Sequence, residues 1–476
     1  MSRLPKAPKK LTAKTVNDIS MHFFKQDKVA DNLMYIEENK SLYLYDEEKN
    51  FYKLLERDTL YQDIFNFIKD GITTGRTNDE NLARTLEYQL TMLATHRQKF
   101  MRSDYISFND QLFSLKTFEC EPHNKSKFSI IHVDCDYVQT QQNSEQWEQF
   151  LHEVLVFPKK LTPEEREQDQ SYEHDPQLYN LLQEMMGWYL LDDLTPHKAF
   201  FLIGEGRNGK GVFTKVLSQI IGNHNVANMS LELLSKNSFA IANLIGKKIN
   251  MCSEEESRYI TSDLFKSLVA GDRLTAERKF KSPFEFTPHT KFLFTTNKMP
   301  HFNDAGIAII ERLAFIPFNR YFSKMARIPN FEKKLIKELP AIVGWALKGA
   351  KRIQENNYIF SEAQQQLASI ATFEESVSSV IQFIRENYIQ TKEQMPYNFY
   401  RTTDLYEVYK SWCIEEGRKP LGRNKMLSEI GQHWGERKAG ITSSDERGRG
   451  WYIEKKEEES YVFTSPELDD KFHDAL

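Results

Sequence analysis

The sequence predicts a multidomain α/β protein, and three stretches of its 476 residues carry that prediction. At 199–217, an apolar run leads into a glycine-rich turn and then into a helical pattern of apolar residues. Between 247 and 318, three more short apolar runs border polar residues, as in a mostly parallel sheet with flanking helices. At 402–454, two helical patterns precede two strand fragments. The mixed patterns before residue 157 indicate a separate α+β N-terminal domain.

The bulk composition excludes several classes of protein. A chain of this length exceeds one hydrophobic core, and 28% charged with 40% apolar residues is ordinary for globular domains. The net charge of −5 gives no global basic field, so we expect nucleic-acid contacts to come from local clusters. No apolar run approaches the ~20 residues of a membrane span, and the N-terminus lacks a signal-peptide core. Four scattered cysteines fit a reducing compartment, so we expect a cytoplasmic protein.

Shifts in composition and periodicity predict where the domains begin and end. The basic residues 1–15 suggest a flexible arm that could touch DNA phosphates, although a solvated tail is the simpler interpretation. Residues 157–177 are polar, charged and interrupted by proline, which is typical of an exposed connection. The other predicted segments are an N-terminal domain at 16–156, a sheet domain at 178–360, a helical linker at 361–385, a C-terminal module at 386–456 and an acidic tail at 457–476.

The stretch around Lys210 has the order of elements that phosphate binding requires. Residues 200–203 predict a buried strand, a glycine-rich loop follows, and 212–221 predict a helix. Glycines let backbone N–H groups face a polyphosphate, and Lys210 would reach the β- and γ-phosphates at the helix N-terminus. This is a P-loop pattern with one departure, because Gly211 stands where Ser or Thr usually binds Mg²⁺. The predicted nucleotide-binding residues are Gly204, Gly206, Asn208, Gly209, Lys210, Gly211 and Val212.

Two later strands end in polar side chains suited to nucleotide hydrolysis. The strand ending at Cys252 is followed by Glu254 and Glu255, which predict one Mg²⁺ ligand, Glu254, and one water-activating carboxylate. A solvated charge run is the alternative interpretation. Asn297 ends the next apolar strand and could hydrogen-bond the γ-phosphate or the attacking water. Alone, such an asparagine would be only a turn residue.

Arg312 precedes a fourth apolar strand. An arginine at this place could reach the nucleotide of a neighbouring subunit and stabilise the charge of the transition state. An ion pair with the adjacent Glu311 is the competing structural interpretation. The sequence alone leaves both possibilities open.

Residues 273–286 alternate with period two and predict a β-hairpin with a basic, aromatic tip. Lysines at the tip would neutralise phosphates of single-stranded DNA, while the aromatic ring would pack against a sugar or base. A solvated basic hairpin is the alternative. The tip residues are Arg278, Lys279, Phe280 and Lys281.

Two patterns in the N-terminal region resemble metal sites, but we favour structural roles for both. The acidic pair lies at a strand end without a second carboxylate motif beside it, so a polymerase-type site is the weaker interpretation. One of the two cysteine–histidine pairs lies along an alternating strand, so its side chains need not converge on zinc. The residues concerned are Asp134 and Asp136, and Cys120 with His123 and His132 with Cys135.

The C-terminal module has the element order of a winged helix, namely helix, turn, helix and a glycine- and arginine-bearing hairpin. The second helix would enter the major groove of DNA through its first turn, and the wing would add two arginines. A protein-interaction winged helix is the alternative. The predicted DNA-binding residues here are Arg423, Asn424, Lys425, Arg447 and Arg449.

Taken together, the motifs resemble a known family. The segments GEGRNGKG, NMCSEEE, FKSLVAGDRLTAERKFK, FLFTTN and ERLAFIPF stand in the order and spacing of superfamily-three helicases. More closely, they are similar to the phage and plasmid primase-helicase group, over about residues 100–380. The size and C-terminal layout most resemble replication initiators of staphylococcal pathogenicity islands.

The resemblance implies a P-loop, AAA+-like motor domain at 178–360 that hydrolyses ATP with Mg²⁺ and unwinds DNA as a hexameric ring, moving 3′ to 5′. In that family the basic hairpin lies in the central channel of the ring. By position, the resemblance assigns Lys210 to phosphates, Glu254 and Glu255 to Mg²⁺ and water activation, Asn297 to a sensor, Arg312 to a finger acting in trans, and Lys266 to a basic residue contributed across the subunit interface.

The predicted function is therefore an ATP-dependent replication-initiator DNA helicase that recognises an origin through its C-terminal module. Expected partners are single- and double-stranded origin DNA, further copies of the chain and host replication proteins, with no membrane. Two other classes stay open: a primase-polymerase fused to a motor, and a nucleotide-regulated DNA-binding switch that does not unwind.

Overall fold

A computed structural model describes residues 29–55, 88, 90–92, 94–168, 171–253, 262–278, 283–300, 302 and 306–456. Contacts divide the chain into two compact units, which meet between Ala371 and Thr372. Several predicted features lie outside the described residues: the basic arm at 1–15, the acidic tail at 457–476, Glu254 and Glu255, and the hairpin-tip residues Lys279, Phe280 and Lys281.

The N-terminal part of the first unit holds two small four-stranded sheets. Each combines antiparallel neighbours with one parallel pair. The first, in the order β3-β2-β1-β4, contains β1 (Leu33–Ile36), β2 (Ser41–Asp46), β3 (Phe51–Leu54) and β4 (His96–Gln98). The second, in the order β7-β6-β5-β8, contains β5 (Tyr105–Ser107), β6 (Leu112–Ser114), β7 (Cys120–Glu121) and β8 (Ile131–His132). Short 3-10 turns lie at Val29–Asn32 and Tyr137–Gln141.

Three helices follow: α1 (Glu145–Val154), α2 (Pro163–Gln168) and α3 (Pro176–Leu190). Ser144 caps α1 by accepting a hydrogen bond from the Trp147 N–H at 3.2 Å. Asp175 caps α3 by accepting from the second and third helical N–H groups, and Pro176 occupies the first position, where a missing N–H costs nothing. These start signals explain why both helices begin where they do.

The centre of the first unit is a five-stranded sheet in which every neighbouring pair is parallel. A parallel sheet covered on both faces favours continuous apolar strands, and the strands Ile249–Cys252, Lys291–Thr296 and Leu313–Pro317 are buried along their length. The predicted parallel sheet is confirmed. Its strands, with an intervening two-stranded hairpin, are β9 (Ala199–Ile203), β10 (Val226–Ala227), β11 (Ile249–Cys252), β12 (Leu274–Ala276), β13 (Phe284–Phe286), β14 (Lys291–Thr296) and β15 (Leu313–Pro317). The order across the sheet is β10-β11-β14-β9-β15, and β12 and β13 form the hairpin.

Helices flank the central sheet, and the longest of them packs closely on α3. A Cβ atom at Gly349 would lie 2.1 Å from the Gln183 carbonyl oxygen, so glycine permits this close approach. Across the contact, the Arg352 guanidinium donates to Glu184 at 2.6 Å. The helices are α4 (Lys210–Ile221), α5 (Leu231–Lys236), α6 (Ser238–Ala242), α7 (Ser262–Ala270), α8 (Ile307–Ile310), α9 (Phe331–Lys337) and α10 (Leu339–Glu355).

One continuous hydrophobic core joins the N-terminal sheets to the central sheet. Trp147 of α1 stacks on Phe213 of α4 with ring centroids 6.0 Å apart and meets Trp345 of α10 at 5.5 Å. The N-terminal region therefore supports the helix that follows the glycine-rich loop. The finer domain boundaries given above stay predictions.

The second unit has its own core, which includes Phe383, Tyr409, Met426 and Trp451. Helix α11 (Gln364–Val377) crosses the junction between the units. The remaining elements are α12 (Ser379–Asn387), β16 (Tyr388–Gln390), β17 (Phe399–Arg401), α13 (Thr402–Glu415), α14 (Arg423–Trp434), β18 (Lys438–Ile441) and β19 (Arg447–Lys455), whose strands pair antiparallel with β19. Throughout the described residues, each helix is too short or too polar to cross a bilayer.

Candidate functional site

The glycine-rich loop joins β9 to α4 at the edge of the sheet where the parallel strands end. Gly209 is the residue before α4 and has a φ of 93°, a left-handed conformation that favours glycine. A Cβ atom there would also lie 2.7 Å from Cγ1 of Val154 in α1. The loop geometry thus depends both on glycine and on packing against the N-terminal region.

Lys210 lies at the start of α4, and its side chain extends back towards the first residue of the glycine-rich loop. The residue is 8% exposed, and its ammonium donates to the Gly204 carbonyl and, at 3.4 Å, to Oδ1 of Asn297. Asn297 is next to the loop because Thr296 of β14 is directly opposite Ile203 of β9. The structure therefore brings together two side chains that are 87 residues apart in the sequence.

The outer side of this loop is open. Ideal Cβ atoms at Gly206 and Gly211 would meet no atom of the described residues within 4 Å. One turn further along α4, the Thr214 hydroxyl donates to the Gly211 carbonyl at 3.3 Å. There is thus room beside the first turn of the helix for a ligand or for a larger side chain at Gly211.

The Asn208 side chain makes hydrogen bonds within the protein that hold the loop in place. It is 3% exposed, its amide donates to the Phe318 carbonyl at 3.2 Å, and its Oδ1 accepts from the Lys210 N–H at 3.4 Å. Because Phe318 follows β15, Asn208 fixes the loop to a second strand end. Its side chain contacts protein groups, and a ligand role would have to use its backbone.

Side chains from α2 hold the loop on both sides of Gly206, which sequence reasoning missed. Arg207 donates to the Tyr321 hydroxyl at 2.9 Å, and that hydroxyl donates to Glu167 at 2.6 Å. The hydrogen bond from Tyr321 lowers the pKa of Glu167 below its usual value. Arg166 pairs with Glu205. No local pattern could reveal these contacts, because the partners are 39 to 154 residues apart.

The strand that precedes the predicted acidic residues ends at the same edge of the sheet as the strand before the glycine-rich loop. β11 pairs with β14 and ends at Cys252, with Cys252 opposite Phe294. The chain therefore leaves β11 at the same edge of the sheet as the glycine-rich loop. The roles of Glu254 and Glu255 stay predictions, since both residues lie outside the described ranges.

Arg312 lies at the opposite edge of the sheet. Its carbonyl accepts from the Ala199 N–H at 2.8 Å, where β9 begins, and its guanidinium donates to the Ala308 carbonyl at 2.6 Å. The five residues of β9 separate the two edges by about 13 Å. Within the described residues, no ion pair joins Arg312 to Glu311. Arg312 and Lys210 of one chain therefore do not form a common site.

Lys266 lies in α7, where it pairs with Asp263 one turn earlier at 2.7 Å. The pair is exposed on the aspartate side, so its contribution to stability is small, on the order of 0.3–0.5 kcal/mol. A half-buried lysine in so weak a pair can change partners. Its predicted role across a subunit interface stays a prediction.

The predicted β-hairpin is confirmed as β12 and β13, with Ala276 opposite Phe284. The Arg278 guanidinium lies over the Phe284 ring, 5.1 Å from its centroid, and Arg273 pairs with Glu285 at 3.0 Å. The described part of the hairpin therefore carries basic and aromatic side chains, while the DNA-binding role of the predicted tip stays a prediction.

The N-terminal cysteine, histidine and aspartate residues are engaged in local structure. His132 stacks on Phe51 with centroids 5.3 Å apart, and burial lowers its pKa to about 4. Asp134 accepts from the Asn109 amide at 3.2 Å, and burial raises the pKa of Cys135 to about 12. The described residues contain no group of three or more His, Cys, Asp or Glu side chains arranged to bind a metal.

In the second unit, the first turn of α14 presents exposed Arg423, Asn424 and Lys425. Arg423 donates to the Thr402 hydroxyl at 3.1 Å. The residue before Thr402, Arg401, pairs with Asp404 at 2.8 Å and with Glu446 in the β18–β19 turn. The first turn of α14 and the β18–β19 turn therefore lie on either side of the same short segment.

The β18–β19 hairpin has two distinct faces. Gly440 and Gly448 are opposite each other in the ladder, and their face packs on Phe399 and on Arg401. The other face carries the exposed residues Arg447 and Arg449, together with Ala439 and Ile441. The predicted wing arginines are therefore displayed to solvent on one side, while their function stays a prediction.

Comparisons with known proteins give distant similarities. A family of unknown function (DUF5906) matches residues 202–311, which span the glycine-rich loop, Asn297 and Glu311. "Putative helicase 121R" of Invertebrate iridescent virus 3 is 22% identical over an alignment of 301 residues that covers 55% of this chain. The chain spans 31% of the length of that viral protein.

Among solved structures, two apo forms of the NrS-1 C-terminal region are similar. The A form has 12% sequence identity and a TM-score of 0.41, covering 89% of this chain and 96% of that one. The other has 11% identity and a TM-score of 0.37, covering 90% and 100%.

Proposed function

We propose that the protein is an ATP-dependent DNA helicase that initiates replication. The observation that carries this proposal is the contact between the Lys210 ammonium and Asn297 at the strand-end edge of a parallel sheet. Open α/β sheets bind their ligands outside the carboxyl ends of the strands. The similarity of 301 residues to a viral protein named as a helicase supports the same conclusion.

The residues around the loop fit the triphosphate of ATP. The helix N-terminus at Lys210 carries partial positive charge, and the open positions at Gly206 and Gly211 leave space for phosphate oxygens. The Lys210 ammonium donates to a loop carbonyl and, through a long hydrogen bond, to Asn297. Phosphate oxygens are charged acceptors, which bind an ammonium more strongly than a carbonyl or an amide oxygen does, so Lys210 would hold the β- and γ-phosphates.

Bound Mg²⁺ would supply charge neutralisation at the β- and γ-phosphate oxygens. We propose Glu254 as its ligand and Glu255 as the base that orients and deprotonates the attacking water. Asn297 would position that water or the γ-phosphate. Gly211 offers no hydroxyl, so Glu254 and water molecules would complete the ligand set of this motor.

The active unit in this proposal is a ring, because Arg312 cannot reach the Lys210 site of its own chain. The separation of about 13 Å between the two sheet edges leaves Arg312 to serve the site of a neighbour. Lys266 would contribute from the same neighbouring surface. We propose six subunits, with the β12–β13 hairpins moving along one strand in the 3′-to-5′ direction.

The second unit would recognise origin DNA as a winged helix. Its support is the exposed basic first turn of α14 beside a hairpin whose outer face carries Arg447 and Arg449. Such an arrangement suits one helix in the major groove with a wing beside it. Host replication proteins would then join at the opened origin.

ATP hydrolysis with and without single-stranded DNA tests this proposal. We expect Lys210→Ala to lower kcat about 10²- to 10³-fold, because it removes a fixed positive charge from the phosphate site. Lys215→Ala is the matched control, since Lys215 lies in the same helix, is 63% exposed and pairs with Glu332 at 3.2 Å. A wild-type enzyme without hydrolysis, or a Lys210→Ala variant with full activity, would contradict the proposal.

Two further assays separate the alternatives. Specific origin binding that responds to ATP without strand separation would indicate a nucleotide-regulated switch. Template-dependent primer synthesis that is abolished in Asp134→Ala, with ATP hydrolysis retained, would indicate a primase-polymerase.

A further inference from the structure

We propose that single-stranded DNA binds a second site, in the cleft between the β12–β13 hairpin and the turn that connects β1 to β2. This inference rests on the proposed helicase function and extends it to the N-terminal region. The site lies beside the hairpin base and uses described residues. The site would guide the DNA strand between the N-terminal sheets and the central sheet.

The cleft is large and open. Its volume is about 1170 Å³, and its walls are the β1–β2 turn at 37–40, residues 99–100 and the hairpin strands. Small-molecule pockets usually enclose about 300–1,000 Å³ and are mostly apolar. An open cleft above that range with many charged side chains suits a segment of polymer better than a small ligand.

The charges of the cleft favour an anion. Four cations and three carboxylates line it. The Arg273–Glu285 ion pair at 3.0 Å neutralises one charge of each sign, which leaves three cations and two carboxylates, and one of these carboxylates, Glu38, accepts from His289 at 2.9 Å. The third carboxylate is Glu37, and the other cations of the lining are Lys40, Lys99 and Arg278.

The cleft also offers an exposed aromatic ring. Phe100 is 53% exposed, and the Lys99 ammonium lies 5.2 Å from its ring centroid. On the hairpin side, Phe284 lies beneath Arg278. Aromatic rings interleaved with cations are the usual means of holding single strands without reading their sequence. Phe100 would stack a base while Lys99 and Lys40 neutralise neighbouring phosphates.

Glu38 fixes the two walls of the cleft before any ligand arrives. Its N–H donates to the Lys99 carbonyl at 3.0 Å, and its carboxylate accepts from the Met101 N–H at 3.0 Å and from His289, which follows β13. A preformed site of this kind loses little conformational freedom on binding. These contacts use backbone groups of Lys99 and Met101, so changing the Lys99 side chain leaves them intact.

Fluorescence anisotropy of the full chain with fluorescein-labelled oligo(dT) tests the site. We expect Phe100→Ala to weaken binding about tenfold, because it removes a ring on which a base stacks. The double variant Lys40→Ala/Lys99→Ala should also lower the slope of log affinity against log salt by about 0.7 for each phosphate that is no longer neutralised. Phe157→Ala and Lys116→Ala are the matched controls, because both residues are partly exposed outside the cleft.

The outcomes distinguish this inference from the proposed function. If wild type binds oligo(dT), Lys279→Ala/Lys281→Ala weakens binding and the cleft variants bind like wild type, only the second site is overturned. If wild type neither binds oligo(dT) nor hydrolyses ATP, both proposals fail. Weaker binding in the cleft variants, with unchanged thermal unfolding and normal affinity in both controls, supports the site.

Discussion

Each edge of the central sheet carries a lysine, but the surroundings of the two lysines differ. At the strand-end edge, Lys210 donates to a loop carbonyl and to a distant Asn297 amide oxygen beside open space. At the strand-start edge, Lys291 is 2% exposed, donates to the Trp188 and Leu191 carbonyls and lies 4.4 Å from the Trp188 ring centroid. Burial lowers the pKa of Lys291 well below its ordinary value.

A buried ion pair also lies at the strand-start edge. Lys248 lies 3.2 Å from Asp192, which also accepts from the Ser103 N–H. Burial alone would raise the pKa of Asp192, but the neighbouring Lys248 holds it below its usual value. This edge is closed by buried contacts, whereas the loop beside Lys210 at the strand-end edge has open space at Gly206 and Gly211. The comparison indicates that open space beside a lysine, rather than its position at a sheet edge, favours a role in binding.

The largest expected effect concerns Arg312, the residue at the strand-start edge that we assign to a neighbouring site. Arg312→Ala should lower ATP hydrolysis about 10³- to 10⁵-fold if the arginine stabilises transition-state charge in trans. Arg327→Ala, at an exposed arginine of the same unit, should hydrolyse ATP at the wild-type rate.

Mixing inactive variants tests whether Arg312 acts across subunits. A ring that contains Lys210→Ala and Arg312→Ala chains in equal amounts pairs an intact lysine with an intact arginine at about a quarter of its interfaces. We expect ATP hydrolysis to reappear on mixing. Two variants that stay inactive together, although wild-type chains exchange freely under the same conditions, would contradict a shared site.

A smaller effect concerns the free energy of unfolding, which should respond differently to substitution of Lys291 and of Lys210. Lys291→Met leaves two buried carbonyls without their donor and should lower the free energy of unfolding by about 2–4 kcal/mol. Lys210→Met should lower it by only about 0.5–1.5 kcal/mol, because it removes the donor of one carbonyl, that of the partly exposed Gly204, and a long contact to Asn297. Thermal unfolding followed by circular dichroism measures both. Equal decreases in the two variants would remove the distinction between the edges.

The smallest expected effect is at Gly211. In the part of the chain that the structure describes, the Cβ of a serine there would meet no atom within 4 Å, so Gly211→Ser should fold like wild type. Its hydroxyl would supply the usual P-loop ligand and should make the free energy of Mg²⁺ binding more favourable by about 1 kcal/mol. The half-saturating Mg²⁺ concentration would then be roughly fivefold lower. Gly211→Ala controls for the added carbon. A Mg²⁺ requirement that is the same in both variants would count against Mg²⁺ binding beside this position.

The secondary structure of the central sheet was predictable because its signals are local. Continuous apolar runs before Gly204, Ser253 and Asn297 indicated strands of a buried parallel sheet, and the alternation around Ala276 indicated the hairpin. Parallel pairing then implies that the strand ends meet at one edge. The contact between Lys210 and Asn297 follows from that register.

Contacts between distant segments were not predictable. Nothing near Glu167 indicates that it would meet the Tyr321 hydroxyl 154 residues away, or that α1 would pack against Gly209. The same holds for Lys291, whose position at a strand start gave no sign that it would be buried beneath Trp188. Such contacts depend on how whole elements pack, which one sequence does not specify locally.

Separation of a forked DNA duplex measures the central claim most directly, namely that the strand-end edge around Lys210 powers unwinding. With ATP and Mg²⁺, we predict that wild type and Lys215→Ala displace the labelled strand, and that Lys210→Ala does not although it still binds the fork. Strand displacement by Lys210→Ala at the wild-type rate, or none by wild type while it hydrolyses ATP, would contradict the account.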